Sequence, residues 1–175
     1  MNTSAQNDLR ELQRPLKQGY REDPTKAQIT LTAKGSQAAE GVTSCSVDLG
    51  RAIYEAQAHV GVGGAGTAAC SGDLLLGALA ACAQLTCQMV ATAMGLDVRG
   101  VEVTVEGDLD LRGTLGLDRD VGAGFSAIRL RFEVDAPEVS DEQLESLFEK
   151  TERYCTVLQT LTAPPEVDAR LARSA

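Results

Sequence analysis

Three kinds of hydrophobic spacing divide this chain. Residues 26–34 alternate, with Ile29 and Leu31 on one face and Thr30 and Thr32 on the other, which predicts a strand. Residues 42–49 and 51–58 read as two further β-like stretches, with Gly50 at the turn between them. From Leu74 the pattern becomes LLLGALAACAQLTCQMVATAMG, a helix with Ser71 as its N-cap, Asp73 complementing its dipole and Gly95 as its stop. The first half of that helix is apolar nearly all the way round and should be buried on every side. A chain of this length surrounds such a helix with difficulty, and burial against a second copy is the simplest solution.

Alternation then returns. Val101, Val103 and Val105 lie opposite Glu102, Thr104 and Glu106 within residues 98–111. Ile128, Leu130, Phe132 and Val134 lie opposite Arg129, Arg131 and Glu133 within residues 126–135. If these strands pair across the connection 112–124, acidic and basic side chains share the solvent face. Ser140 and Gln143 form a capping box that opens the helix SDEQLESLFEKTERYC. Its apolar stripe runs Leu144, Leu147, Phe148, Thr151, Cys155, so Cys155 falls on the buried face at the helix end. Residues 1–25 are a polar lead-in interrupted by Pro15 and Pro24, with one short helix expected around Asp8–Gln13. Pro164 and Pro165 end regular structure and leave a short tail. Three strands, a buried helix, two strands and an amphipathic helix make an α+β fold in one domain.

Composition narrows the function. The chain is 43% hydrophobic with no Trp, three Phe and three Tyr, so its core is built mainly from Ala, Val and Leu. A net charge of −9 argues against nucleic acid or an anionic membrane as partner. The N-terminus has neither a basic nor an apolar segment of the secretory kind, and the run Leu74–Ala83 is short for a bilayer span. These features predict a soluble cytoplasmic protein. In that compartment thiols stay reduced, so five cysteines at irregular spacing do not suggest a disulfide framework. The Gly-rich segment 59–72 is a loop long enough to suggest function.

Two cysteines fall within the long helix. Five residues apart, Cys82 and Cys87 are turned about 140° from one another with α-carbons about 8 to 9 Å apart, beyond the ~7 Å that a disulfide tolerates. They cannot bond within an intact helix. By spacing alone each reads as a small packing residue, as does Cys70 in its loop. With no C-x-x-C pair and His59 as the one histidine, no metal is expected, and nothing in the sequence points to a cofactor.

DLLLGALAAC resembles the helix signature of the OsmC/Ohr family, and TERYCTVLQTL resembles its second cysteine segment. The strand segments VRGVEVTVEGDLD and GFSAIRLRFEVDAP match in order, so the resemblance covers residues 26–168 as one domain, with 169–175 as a tail. It implies an OsmC-like fold, antiparallel sheets around a buried central helix, in an intertwined homodimer. It also implies a thiol-dependent peroxidase acting on organic hydroperoxides in oxidative stress defence, recycled by a dithiol reductant. Cys82 would be the peroxidatic cysteine and Cys155 the resolving one. Burial opposes thiolate formation, so a cation must approach Cys82. The family uses an Arg held by a Glu near the helix start. Here Gly72 falls at the position of that Glu, Asp73 is the nearest acid, and His59 and Arg51 are the candidates for the cationic role. Thr156 replaces the Pro usual after the second cysteine. These departures leave open an alternative: a non-catalytic dimeric scaffold or small-ligand-binding protein of the same fold.

Overall fold

Residues two apart along the chain build a sheet, and residues three and four apart lay helices on it. The structure, a computed structural model, describes residues 3–37, 45–48, 58–64, 69–171 and 173. Helix α1 (Thr3–Glu22) leads through a single 3-10 turn (Pro24–Ala27) into β1 (Gln28–Gln37) and β2 (Cys45–Asp48). A second 3-10 turn (Val60–Val62) precedes α2 (Ser71–Ala93), followed by β3 (Gly100–Asp110), α3 (Leu111–Thr114), β4 (Ala127–Asp135), α4 (Asp141–Tyr154) and α5 (Thr156–Thr162). Among the described residues the strands form one antiparallel sheet in the order β2-β1-β3-β4.

The expected pairing of the last two strands is present in register. Val101 faces Val134, Val103 faces Phe132 and Val105 faces Leu130, which turns the apolar sides together. On the other face Glu106 is opposite Arg129, whose guanidinium reaches Glu106 at 3.4 Å and Asp108 at 2.5 Å. These pairs are half exposed, so their main effect is on register rather than on stability. Val101, Val103 and Val105 are buried and form a floor on which α2 packs through Leu76, Leu79, Ala80 and Ala83.

Two boundaries differ from expectation at the N-terminal end. The lead-in holds a 20-residue helix rather than a short one. Pro15 removes one intrahelical hydrogen bond, yet Leu16 and Tyr20 beyond it pack against Ala27 and Leu111, and this contact keeps the segment helical. Strand β1 starts at Gln28 rather than at residue 26, because Asp23 accepts the Thr25 N–H at 3.1 Å and Pro24 begins a 3-10 turn there. The second β-like stretch is β2. Residues 51–57, which hold most of the third, lie outside the described residues.

Helix α2 begins one residue earlier than expected, with Cys70 rather than Ser71 as N-cap: its carbonyl accepts the Leu74 N–H, and its own N–H donates to Asp73 at 2.8 Å. At the other end Gly95 (φ 66°) takes the left-handed position, with Gly95 N–H on the Thr92 carbonyl and Leu96 N–H on that of Ala91. That is a Schellman stop at the predicted glycine. By length and hydropathy α2 could cross a bilayer, but its inner face is taken up by the sheet and by α4 and α5. Its first half is not buried all round. Ala78 is open, and Leu75 and Met89 are 39% and 47% exposed, with Cys82 and Leu85 half-buried on the same stripe.

Candidate active site at two cysteines

Cys82 sits mid-helix at the margin between the buried and open faces of α2, packed against the core cluster to which Cys155 belongs. Ser140 opens α4 with its capping box, Ser140 N–H donating to Gln143 Oε1 at 3.1 Å and Gln143 N–H to Ser140 Oγ at 3.3 Å. The helix then lays Leu147 and Thr151 on α2 and ends at Tyr154. Cys155 caps both α4 and α5: its N–H donates to the Thr151 carbonyl, and its own carbonyl accepts the Gln159 N–H, each at 2.9 Å. Thr156, at the position where the family has Pro, is the first residue of α5. That is the helix position proline favours, so the departure leaves the local fold intact.

Within that cluster Cys82 is near enough to Cys155 to act on its thiol. Cys155 is fully buried and Cys82 partly accessible. Burial, with Cys82 alongside, pushes the Cys155 thiol up to about 11, while the Leu158 and Val157 amides oppose the rise. A thiol raised in the folded state favours folding below the ordinary thiol value near 9, and that contribution is lost as pH rises toward 11. The urea midpoint of the reduced protein is therefore expected to fall between pH 9 and 11, and Cys155→Ser to flatten this part of the curve. Identical slopes in the two proteins would exclude a buried neutral thiol at Cys155.

Cys87 is 2% exposed; burial raises its thiol, and the Thr151 hydroxyl opposes the rise. Cys155 thus feels Cys82, and Cys87 feels Thr151, one turn earlier on α4. Nearby, Gln84 donates to the Val101 carbonyl at 2.8 Å and to Gln88 Oε1 at 3.1 Å, which pins α2 to β3.

The other sequence candidates lie elsewhere. Asp73 is nine residues before Cys82, about 13.5 Å along the helix axis, and accepts the Cys70 N–H. His59 caps the 3-10 turn at the head of α2, its Nδ1 accepting the Gly61 N–H at 3.0 Å. Arg51 lies outside the described residues. Sequence reasoning missed Cys70 as the helix cap, and Tyr20, whose hydroxyl donates to the Gly61 carbonyl at 2.6 Å. The spacing Leu9, Leu12, Leu16, Tyr20 was the available signal for the helix that carries Tyr20. Among the described residues no group of three or more His, Cys, Asp or Glu side chains could hold a metal ion.

Comparison with known proteins places this geometry in context. A family profile described as OsmC-like protein matches residues 64–170. No curated protein matches the chain. Among solved structures, the chain is similar to the crystal structure of an OsmC-like hydroperoxide resistance protein from Jannaschia sp. CCS1. The two share 15% identity and a TM-score of 0.61, over 84% of this chain and 95% of the other. At that identity the likeness is one of fold.

Proposed function

The chain belongs to the OsmC-like protein family, and from that premise we propose that it is a thiol-dependent peroxidase reducing organic hydroperoxides through Cys82 and Cys155. One observation supports the reading: Cys82 and Cys155 share one packed cluster although 73 residues separate them, Cys82 partly accessible and Cys155 buried. The accessible Cys82 is the thiol that a peroxide reaches first. Its thiolate attacks one peroxide oxygen, so that an S–O bond forms, the O–O bond breaks and the alcohol leaves with a proton. Cys155 then attacks the Cys82 sulfur, an S–S bond forms and water leaves. A dithiol reductant restores both thiols by exchange and is itself oxidised to a disulfide. Arg51 stands as the candidate for the cation that favours the Cys82 thiolate, since His59 Nδ1 is taken up as acceptor of the Gly61 N–H, and Asp73 for the acid that holds it.

Consumption of cumene hydroperoxide with a dithiol present tests this. Wild type should consume it and Cys82→Ser should not; equal behaviour of the two would end the reading. A second reading, a non-catalytic scaffold or small-ligand binder, is favoured by the rise of the Cys155 thiol and by the engagement of Asp73 and His59 at the head of α2. The same assay separates them.

The apolar stripe Leu75, Ala78, Cys82, Leu85, Met89 supports a homodimer in which a second copy covers α2. Leu75→Asp/Met89→Asp protein is expected to sediment as a monomer and wild type as a dimer. A monomeric wild type at micromolar concentration would remove this part of the proposal.

A further inference from the structure

A cavity of about 430 Å3 lies at the head of α2, and Cys82 is not among its lining residues. Cys82 is seven residues beyond Leu75, the nearest lining residue on its stripe, or about 10.5 Å along the helix axis. Separate segments build the walls: Val62 at the end of the second 3-10 turn, Leu75 on α2, Leu109 and Leu111 at the end of β3 and start of α3, and Phe125 ahead of β4. Both the size and the apolar walls are those of a small-molecule pocket.

Hydrogen-bonding groups join these walls. His59 lines the cavity, and because its Nδ1 accepts the Gly61 N–H, the neutral ring carries its proton on Nε2 as a donor. The hydroxyl-bearing Ser71 and Thr114 also line it, and so does Cys70, which is 7% exposed. The loop that presents His59 is fixed on two sides. Tyr20 holds the Gly61 carbonyl, and a Cβ at Gly61 would lie 2.3 Å from a Leu111 methyl, so any side chain there would have to push Leu111 aside. The nearby carboxylate, Asp73, is turned to the Cys70 N–H. His59 Nε2–H and the Ser71 and Thr114 hydroxyls can each donate at the polar end, and the positive end of α2 favours an anion there.

We infer that this cavity binds a small carboxylate with a compact apolar body, its head on His59 and its body against Leu109, Leu111 and Phe125. The site is separate from the thiol pair and stands whether or not the peroxidase reading does. The probe is 4-phenylbutyrate, titrated calorimetrically into the full-length protein, with 4-phenylbutan-1-ol as the uncharged control. One molecule should bind per chain. His59→Phe should weaken the carboxylate about tenfold and leave the alcohol unchanged. Gly124 also lines the cavity, has an ordinary φ, and has no atom within 4 Å of a Cβ built on it. Gly124→Leu should therefore fold normally, keep its hydroperoxide activity and weaken both ligands by about tenfold or more. Cys82→Ser should bind both as wild type does. Absence of 4-phenylbutyrate binding at millimolar concentration overturns the inference, as does binding indifferent to both His59→Phe and Gly124→Leu. Binding lost in Cys82→Ser overturns it too, because it assigns the ligand to the thiol pair.

Discussion

Cys82→Ser protein is expected to lose hydroperoxide consumption by on the order of a thousandfold or more, the scale of removing a nucleophile outright. Serine keeps the size of the side chain and its place in α2, so the fold should survive and the loss report chemistry alone. Cys155→Ser should behave differently. It still presents Cys82 to the peroxide, so it should reduce one equivalent and stop, leaving a sulfenic acid that dimedone traps on Cys82. Wild type treated with one equivalent should instead yield the Cys82–Cys155 disulfide, identified by mass spectrometry of its peptides. Sustained turnover by Cys155→Ser at the wild-type rate would exclude a two-cysteine cycle while leaving Cys82 as nucleophile.

Leu147→Ala is expected to cost roughly 2–5 kcal/mol of stability, the range for emptying a fully buried leucine site. Leu147 is 1% exposed and belongs to the core cluster that joins α4 to α2 and β3. In a protein of this size each kcal/mol lowers the melting temperature by about 2–4 °C, so a fall of several degrees should be plain in calorimetry. The change also loosens the helix that delivers Cys155, so the rate of disulfide formation should drop along with stability. A variant as stable as wild type would mean that α4 is not held on α2 through this residue.

The readable parts of the fold were those in which local pattern and long-range contact agree. The alternations around Val103 and Leu130 share a register because each puts its valines and leucines on one side and its charges on the other. The Ser140–Gln143 box is a purely local device and was found as expected. Helix α1 was read too short because polar residues and Pro15 obscure Leu16 and Tyr20, whose partners Ala27 and Leu111 include one more than 90 residues away. The head of α2 was harder still. Whether His59 serves Cys82 or another group depends on how a Gly-rich loop folds back, and spacing carries no record of that path. The expectation that Cys82 pairs with Cys155 came from motif resemblance, since helix geometry alone could only separate Cys82 from Cys87.

Cys155 ends one helix and begins the next, with φ −71° and ψ 101° of extended backbone between two helical segments. Rotation at such a joint breaks few main-chain hydrogen bonds, whereas moving Cys82 would disturb a 23-residue rod clamped at both ends. The mechanical compliance of the pair is therefore lopsided: α2 acts as the anvil and the seven-residue α5 as the lever. Making and breaking a bond at this joint should be written in the amide hydrogen exchange of α5, with α2 silent, so that the redox state of the protein becomes a movement of its last helix.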